Sequence, residues 1–402
     1  MMGTVLHSQF TIYHSPFTIH NSMKIGFDAK RAFTNFTGLG NYSRSTVKIL
    51  ADCFPSNSYY LYNPRLPDEH QIKFLDLPHH SKVHIKIPQS FFYKLFPSLW
   101  RRMGITTDLK KDQLDIFHGL SHELPLGIEK TNIPSVVTIH DLIFLRFPQY
   151  YKRTDRKIYA SKVKHACEVA DLIIAISEQT KNDIIHFFNI DENKIRVVYQ
   201  SCAAVFHQKI DDMMLMKVRV KYKLPQRFIL NVGTIERRKN AMLIIKALKN
   251  TNENIPLVII GRETSYVKEL KDYLNVNHLE HRVIFHHKIT FDELPIIYNL
   301  ATMFIYPSKF EGFGIPIIEA LQCGVPVIAA KGSCLEEAGG HTCIYVEPDD
   351  AEGMANAINT LLNEDKNEER ISAGKKYVER FHQEKIAKDL MKVYEELMEI
   401  KK

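Results

Sequence analysis

The sequence predicts two doubly wound α/β domains in tandem, facing each other across a cleft. From Lys24 onward, short β-rich runs alternate with longer amphipathic stretches, the pattern of parallel sheets covered by helices. The alternation loosens once, near residues 205–225, and then restarts. At 402 residues the chain is too long for one ordinary hydrophobic core and about right for two.

Residues 1–22 carry no Lys or Arg ahead of an apolar stretch and no small-residue cleavage pattern, so they do not read as a signal peptide. They are expected to be a disordered extension, with Met23 a candidate start. The first domain is expected over 23–206, with strands at Lys24–Asp28, Ser58–Tyr62, Ile116–His118, Ser135–Ile139, Leu172–Ile176 and Ile195–Val198. Gln208–Pro225 reads as a linker with a short helix rich in Met and Lys. The second domain, 207–380, takes strands at Phe228–Val232, Leu257–Ile260, Val283–Phe285, Met303–Tyr306, Val327–Ala329 and Cys343–Val346. Phe381–Leu397 is amphipathic and has no strand of its own to cover, so the segment 381–402 is expected to be a helix packing back toward the first domain. In open parallel sheets ligands sit beyond the carboxyl ends of the strands, which places the site in the cleft between the domains.

Composition narrows the function. A content of 45% hydrophobic and 25% charged residues is that of a globular protein. No apolar run approaches the roughly 18 residues that cross a bilayer; the longest, such as Ile255–Gly261, have the length of buried strands. The six cysteines form no Cys-x-x-Cys pair and no metal-ligand spacing, which suits a reducing cytoplasm and no metal. The net charge of +7 fits anionic substrates or anionic lipid, and no aromatic–basic signature of a nucleic-acid module is present. The run Ser90–Arg102 mixes aromatic and basic residues as interfacial helices do, although Pro97 limits it to short pieces. It reads either as a helix packed on its own domain or as a peripheral contact with the inner face of a membrane.

Four segments carry chemistry. In Tyr306-Pro307-Ser308-Lys309-Phe310-Glu311-Gly312-Phe313-Gly314-Ile315-Pro316, a strand ends, a glycine-containing loop follows, and Pro316 suits the first turn of a helix. Free amides at that helix start, near Gly314 and Ile315, would face an anion such as a diphosphate. Glu311 and Glu319, eight positions apart, can accept paired hydrogen bonds from vicinal hydroxyls, the feature that a sugar ring and a ribose share. The second segment, Gly233-Thr234-Ile235-Glu236-Arg237-Arg238-Lys239-Asn240, again opens a strand into a helix, now with three cations that can neutralise a diphosphate. The third, Val136-Val137-Thr138-Ile139-His140-Asp141, ends a buried strand in His140 at the cleft edge. The fourth, Thr37-Gly38-Leu39-Gly40-Asn41-Tyr42-Ser43, supplies Gly-x-Gly but has Ser43 where a dinucleotide fingerprint needs its third glycine.

Together these segments resemble the family 4 glycosyltransferases of the GT-B fold, in which two Rossmann-like domains face across a cleft. The likeness runs from Met23 to Lys402. Lys24–Asp28 with Thr37–Gly40 is similar to that family's opening strand and glycine loop, Ala170–Glu178 to its interdomain-side strand, and Glu311 to Glu319 to its Glu-x7-Glu signature. The resemblance implies a retaining, metal-independent hexosyltransferase with no cofactor, using a nucleotide-diphosphate sugar, GDP-mannose or a UDP-hexose. The acceptor would be a glycan or lipid-linked sugar in cell-surface polysaccharide synthesis. Glu311 would bind donor-sugar hydroxyls and Glu319 the ribose. Arg238, Lys239 and the amides near Gly314 and Ile315 would hold the diphosphate in the loop that opens at Gly233. His140 would stand beside the transferred sugar, with Gly38 and Gly40 on the phosphate or acceptor side; the first domain, 23–206, would bind the acceptor and the second, 207–380, the nucleotide sugar.

The sequence departs from the family at Thr234, where many relatives carry Arg, and at Tyr199-Gln200-Ser201-Cys202, where many carry Asn-Gly. It has no Asp-x-Asp triplet of the metal-dependent transferases. A nucleotide-sugar epimerase on a similar scaffold, an inactive nucleotide-sugar-binding module and a NAD-dependent oxidoreductase are the competing readings. The epimerase would convert the donor alone. Glu311, Glu319, Lys239 and His140 weigh against the inactive module, and Ser43 weighs against the oxidoreductase.

Overall fold

The computed structural model describes residues 22–73, 75–78, 81–363 and 368–401; residues 1–21 of the expected extension lie outside them. Two parallel sheets organise the chain. The first contains β1 (Lys24–Asp28), β2 (Ser58–Tyr62), β3 (Lys82–Lys86), β4 (Ile116–Gly119), β5 (Ser135–Ile139), β6 (Leu172–Ala175) and β7 (Ile195–Val197), in the order β3-β2-β1-β4-β5-β6-β7. The second contains β8 (Ile229–Val232), β9 (Leu257–Ile260), β10 (Val283–His286), β11 (Met303–Tyr306), β12 (Val327–Ala330) and β13 (Ile344–Val346), in the order β10-β9-β8-β11-β12-β13. β4, β5, β6, β9, β11 and β12 are buried along their whole length, as strands covered by helices on both faces must be.

Every strand-like run in the sequence coincides with a strand to within a residue or so. β3 is the addition. It pairs only with β2, and its Lys-Val-His-Ile-Lys sequence puts Val83 and Ile85 half inside while Lys82 and His84 face water, as befits an edge.

In each sheet the strand order reverses beside the first strand, between β1 and β4 in one lobe and between β8 and β11 in the other. Such reversals leave a crevice beyond the carboxyl ends of the two strands, where ligands bind.

The chain crosses between the lobes twice. After β7 it runs through residues 198–211 into helix Asp212–Lys221, which packs on helix Leu294–Leu300 of the second lobe. It returns at Glu379–Phe381 into helix Gln383–Ile400, which lies on helix Gly38–Cys53 of the first lobe. That helix is tied down by Tyr394 Oη on His118 Nδ1 at 2.7 Å, by Lys401 on Asp171 at 2.6 Å, and by Glu396 on Arg196. At the crossing, Tyr199 stacks on Phe313 at 5.2 Å, and Phe381 stands edge-on to both at 5.4 Å. One apolar core therefore runs continuously from β1 through the crossing into the second lobe.

The aromatic–basic run at Ser90–Arg102 divides in two. Phe91, Phe92, Leu95 and Phe96 are more than half exposed, and Lys94 and Arg102 are exposed beside them. Trp100 and Arg101 turn inward instead: the Trp100 indole donates to Asp108 at 2.7 Å, and Arg101 grips Asp28 through Nε at 2.9 Å and Glu123 through Nη1 at 2.6 Å.

Candidate active site

The crevice between β8 and β11 collects the cations and one of the glutamates. Beyond β8, Gly233 takes φ +145°, a region that favours glycine, and the Lys239 stem lies over it, 3.7 Å from where a Cβ would stand. The loops after β8 and β11 are joined by the Lys309 amide, which donates to Arg238 O at 2.9 Å. On this frame Glu311 Oε1 receives Lys239 Nζ at 2.6 Å, Arg238 Nη1 at 2.9 Å, Ser308 Oγ at 2.5 Å and Tyr306 Oη at 3.1 Å.

The three charged side chains are only 12–17% exposed. Burial opposes ionisation of Glu311, but Lys239 and then Arg238 outweigh it and pull its pKa down to about 2. Glu311 is therefore a fixed carboxylate. Of the three cations after β8, Arg237 pairs with Glu269 and stands over the Tyr266 ring, while Arg238 and Lys239 pair with Glu311.

The helix Ile315–Gln322 opens at Gly314, whose φ of +139° again favours glycine and whose Cβ would stand 3.0 Å from Ala338 Cβ. Among the described residues the Gly314 and Ile315 amides donate to no protein acceptor, as expected of a helix start. Glu319 sits a turn further in and does not join Glu311. It is 7% exposed, accepts one hydrogen bond from Tyr298 Oη at 3.1 Å, and lies near Cys202 of the crossover. With burial the dominant influence its pKa rises to about 7. The two glutamates thus present opposite electrostatics: one permanently charged, one poised near neutrality.

Across the gap, His140 follows β5. Its Nε2 donates to Leu120 O at 2.9 Å, which leaves Nδ1 to accept from the Gln200 amide at 3.3 Å. Burial, and next the neighbouring His122, lower its pKa to about 3, so the ring is neutral with both nitrogens engaged. Gln200 belongs to the turn where the chain departs from the family pattern, and it supplies a contact of its own. The His140 carbonyl abuts Gly312: a Cβ there would stand 2.3 Å from it, and Ser177 Oγ donates to Gly312 O at 2.8 Å. The lobes touch at this point. Asp141, the next residue, is half-buried, and its desolvation raises its pKa; it lies within electrostatic reach of Arg238 and Glu311.

Gly38 and Gly40 open helix Gly38–Cys53 beyond β1. Gly38 has open space around it, whereas a Cβ on Gly40 would fall 1.7 Å from Asn35 O, so Gly40 permits the β1 loop to lie against the helix. Between the lobes a cavity of about 530 Å³ is bounded by Ile143, Tyr150 and Tyr151 on one side and by Glu236, Arg238 and Tyr266 on the other.

The structure brings Gly233, Arg238, Lys239 and Glu311 together beside the helix that starts after Gly314, with His140 across the gap; Glu319 lies one turn into that helix, and Gly38 and Gly40 stand at the start of a first-lobe helix. Tyr306, Ser308, Gly312 and Asp141 also belong to the site. Their signal was adjacency to the motif residues, since each lies within the same strand-to-loop segments.

Two doubly wound parallel-sheet lobes, each with a strand-order reversal, are the arrangement of the GT-B glycosyltransferases. Comparison with known proteins agrees with that class. A model of glycosyl transferases group 1 matches residues 216–378, and one of Glycosyltransferase Family 4 matches residues 57–201. O-antigen chain mannosyltransferase B of Escherichia coli is 28% identical over 358 residues, covering 85% of this chain and 91% of that protein. O-antigen chain mannosyltransferase RfbU of Salmonella typhimurium is 30% identical over 266 residues, 65% of this chain and 67% of that one. Among solved structures, HepE of Anabaena in complex with UDP and glucose superposes with a TM-score of 0.71 at 19% identity, over 93% of this chain and all of that one. Sucrose-phosphate synthase of Thermosynechococcus elongatus gives 0.72 at 20%, over 94% and 100%. The chain belongs to family 4 of the glycosyltransferases and is a glycosyltransferase of the GT-B fold.

Proposed function

We propose that this enzyme transfers mannose, with retention and without a metal, from a nucleotide-diphosphate sugar to a glycan or lipid-linked acceptor during surface polysaccharide assembly. The observation that carries the reading is the convergence of Arg238 and Lys239 on Glu311 beside the unpaired amides of Gly314 and Ile315. Before the donor binds, the carboxylate would hold the two cations in place. A donor diphosphate would take over the cations and amides, freeing Glu311 to accept hydrogen bonds from the sugar hydroxyls. Glu319 would accept from the ribose.

As the bond from the sugar C1 to the diphosphate oxygen breaks, the acceptor hydroxyl forms its bond to C1 from the same face, and its proton passes to the departing diphosphate. The engaged ring nitrogens of His140 support that proton route, because no neutral imidazole nitrogen is left over to act as base. His140 then shapes the wall beside the sugar. Arg238 and Lys239 stabilise the charge that grows on the diphosphate, the work a divalent ion does elsewhere. Mannose follows the mannosyltransferases of E. coli and Salmonella that the chain resembles, and GDP is the nucleotide that likeness suggests. The exposed Phe91, Phe92, Leu95 and Phe96 with Lys94 and Arg102 support peripheral contact with the inner membrane face.

Slow donor hydrolysis across a panel of GDP and UDP sugars tests the reading without knowledge of the acceptor. GDP-mannose should be consumed, should release the anomer of retained configuration by proton NMR, and should be unaffected by EDTA. Epimerised donor, an inverted product, or loss of activity in EDTA with rescue by Mg2+ or Mn2+ would overturn it.

A further inference from the structure

A buried polar chain stands behind His140, and the transfer step described above makes no use of it. It starts in helix Gln383–Ile400, where the hydroxyl of the fully buried Tyr394 meets His118 Nδ1 of β4 at 2.7 Å. His118 Nε2 meets Thr138 Oγ1 of β5 at 2.8 Å, and Thr138 Oγ1 meets the Tyr42 hydroxyl of helix Gly38–Cys53 at 3.0 Å. The Tyr42 ring then stands edge-on to the His140 imidazole, 4.5 Å away at 89°. Four elements thus converge on one ring of the candidate site.

Packing alone does not call for such a chain. His118 and Thr138 have no exposure, and His118 lies against Phe27 at 5.9 Å inside the apolar core. Burial, and next His140, lower the His118 pKa to about 3, so its ring is neutral. A neutral imidazole donates from one nitrogen and accepts at the other, so a single proton order running from Tyr42 to Tyr394 satisfies both nitrogens. Apolar side chains of the same size would fill this space as stably, whereas a satisfied polar network fixes one geometry. His140 needs that definition. Hydrogen bonds at ring nitrogens act near the ring plane, so those to Leu120 O and from Gln200 oppose tilting of the ring only weakly. The perpendicular Tyr42 ring, nearer at 4.5 Å than the His122 ring at 5.2 Å, is the contact that blocks tilt.

We propose that Tyr42 is a positioning residue for the transfer reaction: its ring sets the tilt of His140 at the wall of the sugar site, and the chain through Thr138 and His118 to Tyr394 sets Tyr42. The terminal helix, which arrives from the second lobe through Phe381, is thereby part of the site as well as a strap across the first lobe. The inference rests on the placement of His140 beside the transferred sugar.

Hydrolysis of GDP-mannose by the full chain, together with nitrogen NMR of its histidine side chains, tests it. Y42L, which removes the ring, should lower kcat about tenfold or more while KM stays within about twofold. Y42F, which keeps the ring, should recover most of that loss. Y394F cuts the far end of the chain and should shift the nitrogen resonances of His140, assigned by their disappearance in H140A. A purely structural role would lower the melting temperatures of Y42L and Y394F but leave kcat per folded enzyme and the His140 resonances in place; that result would overturn the proposal. Wild-type kcat in H140A would instead overturn the placement of His140, and the inference with it. If wild-type protein turned over no GDP or UDP sugar, the donor reading would fall, and the response of His140 to Y394F would decide whether the chain holds the ring. Tyr394→Phe keeps the size of the side chain, so the spectra decide even where Y42L fails to fold.

Discussion

Substituting Glu311→Gln separates the structural and catalytic halves of the account. The change keeps the shape of the side chain and removes its charge, stranding Lys239 and Arg238 in a crevice where they are 16–17% exposed. A carboxyl pulled from an ordinary 4.5 to about 2 contributes about 3 kcal/mol at neutral pH, the lower end of the ~3–5 kcal/mol seen when a buried ion pair loses one partner. Because the pKa is depressed, that stability is present above about pH 4.5 and is lost as the pH falls toward 2. Urea denaturation should therefore show the variant less stable by about 3 kcal/mol at pH 7, with the gap closing in acid. The freed cations should keep or improve the affinity for GDP or UDP, while donor turnover falls about 100-fold or more. Calorimetry and hydrolysis on the same preparation read both. Nucleotide affinity lost together with turnover in a folded variant, or turnover near wild type, would refute the division of labour between carboxylate and cations.

Other consequences are as specific. Glu319, raised to about 7 by burial, makes the protein lose stability as the pH rises from about 4.5 through about 7. The same ionisation strengthens it as an acceptor for ribose hydroxyls, so nucleotide-sugar affinity should rise between about pH 6 and 8; calorimetry should find this slope flat in E319Q. Gly40→Ala would place a methyl 1.7 Å from Asn35 O; displacing the β1 loop should cost about 1–3 kcal/mol, read as a lower melting temperature, and unchanged stability would mean that the loop is free to move. The double variant F92E/F96E should partition at least tenfold less to vesicles containing anionic lipid, with wild-type binding weakened by salt. Equal sedimentation of both proteins would confine the patch to the protein's own packing.

Much of this was legible because a buried parallel strand is a short, nearly continuous apolar run. Val136–Ile139 and Leu257–Ile260 announce themselves by composition and by the turns that bound them. β3 did not, since three of its five residues are charged or polar and only an edge position tolerates them. The donor crevice was readable because loop chemistry follows the strand ends, which puts Lys239 and Glu311 at the same reversal point. What spacing could not reveal was orientation. The eight-residue interval does not say that Glu311 meets Lys239 and Arg238 while Glu319 accepts from Tyr298, and the run Ser90–Arg102 does not say that Arg101 pairs with Asp28 and Glu123. The lobe contact at Gly312 and the chain from Tyr394 to Tyr42 depend on which elements meet in space, and no local pattern encodes that.

The claim on which the account turns is that the diphosphate of the donor lies in the β8/β11 crevice. A crystal structure of the enzyme with GDP or UDP tests it directly. Phosphate oxygens should be found within hydrogen-bond distance of Lys239 Nζ, Arg238 and the Gly314 and Ile315 amides, with the Lys239–Glu311 contact lengthened from 2.6 Å. A nucleotide bound elsewhere, with that ion pair intact, would contradict it.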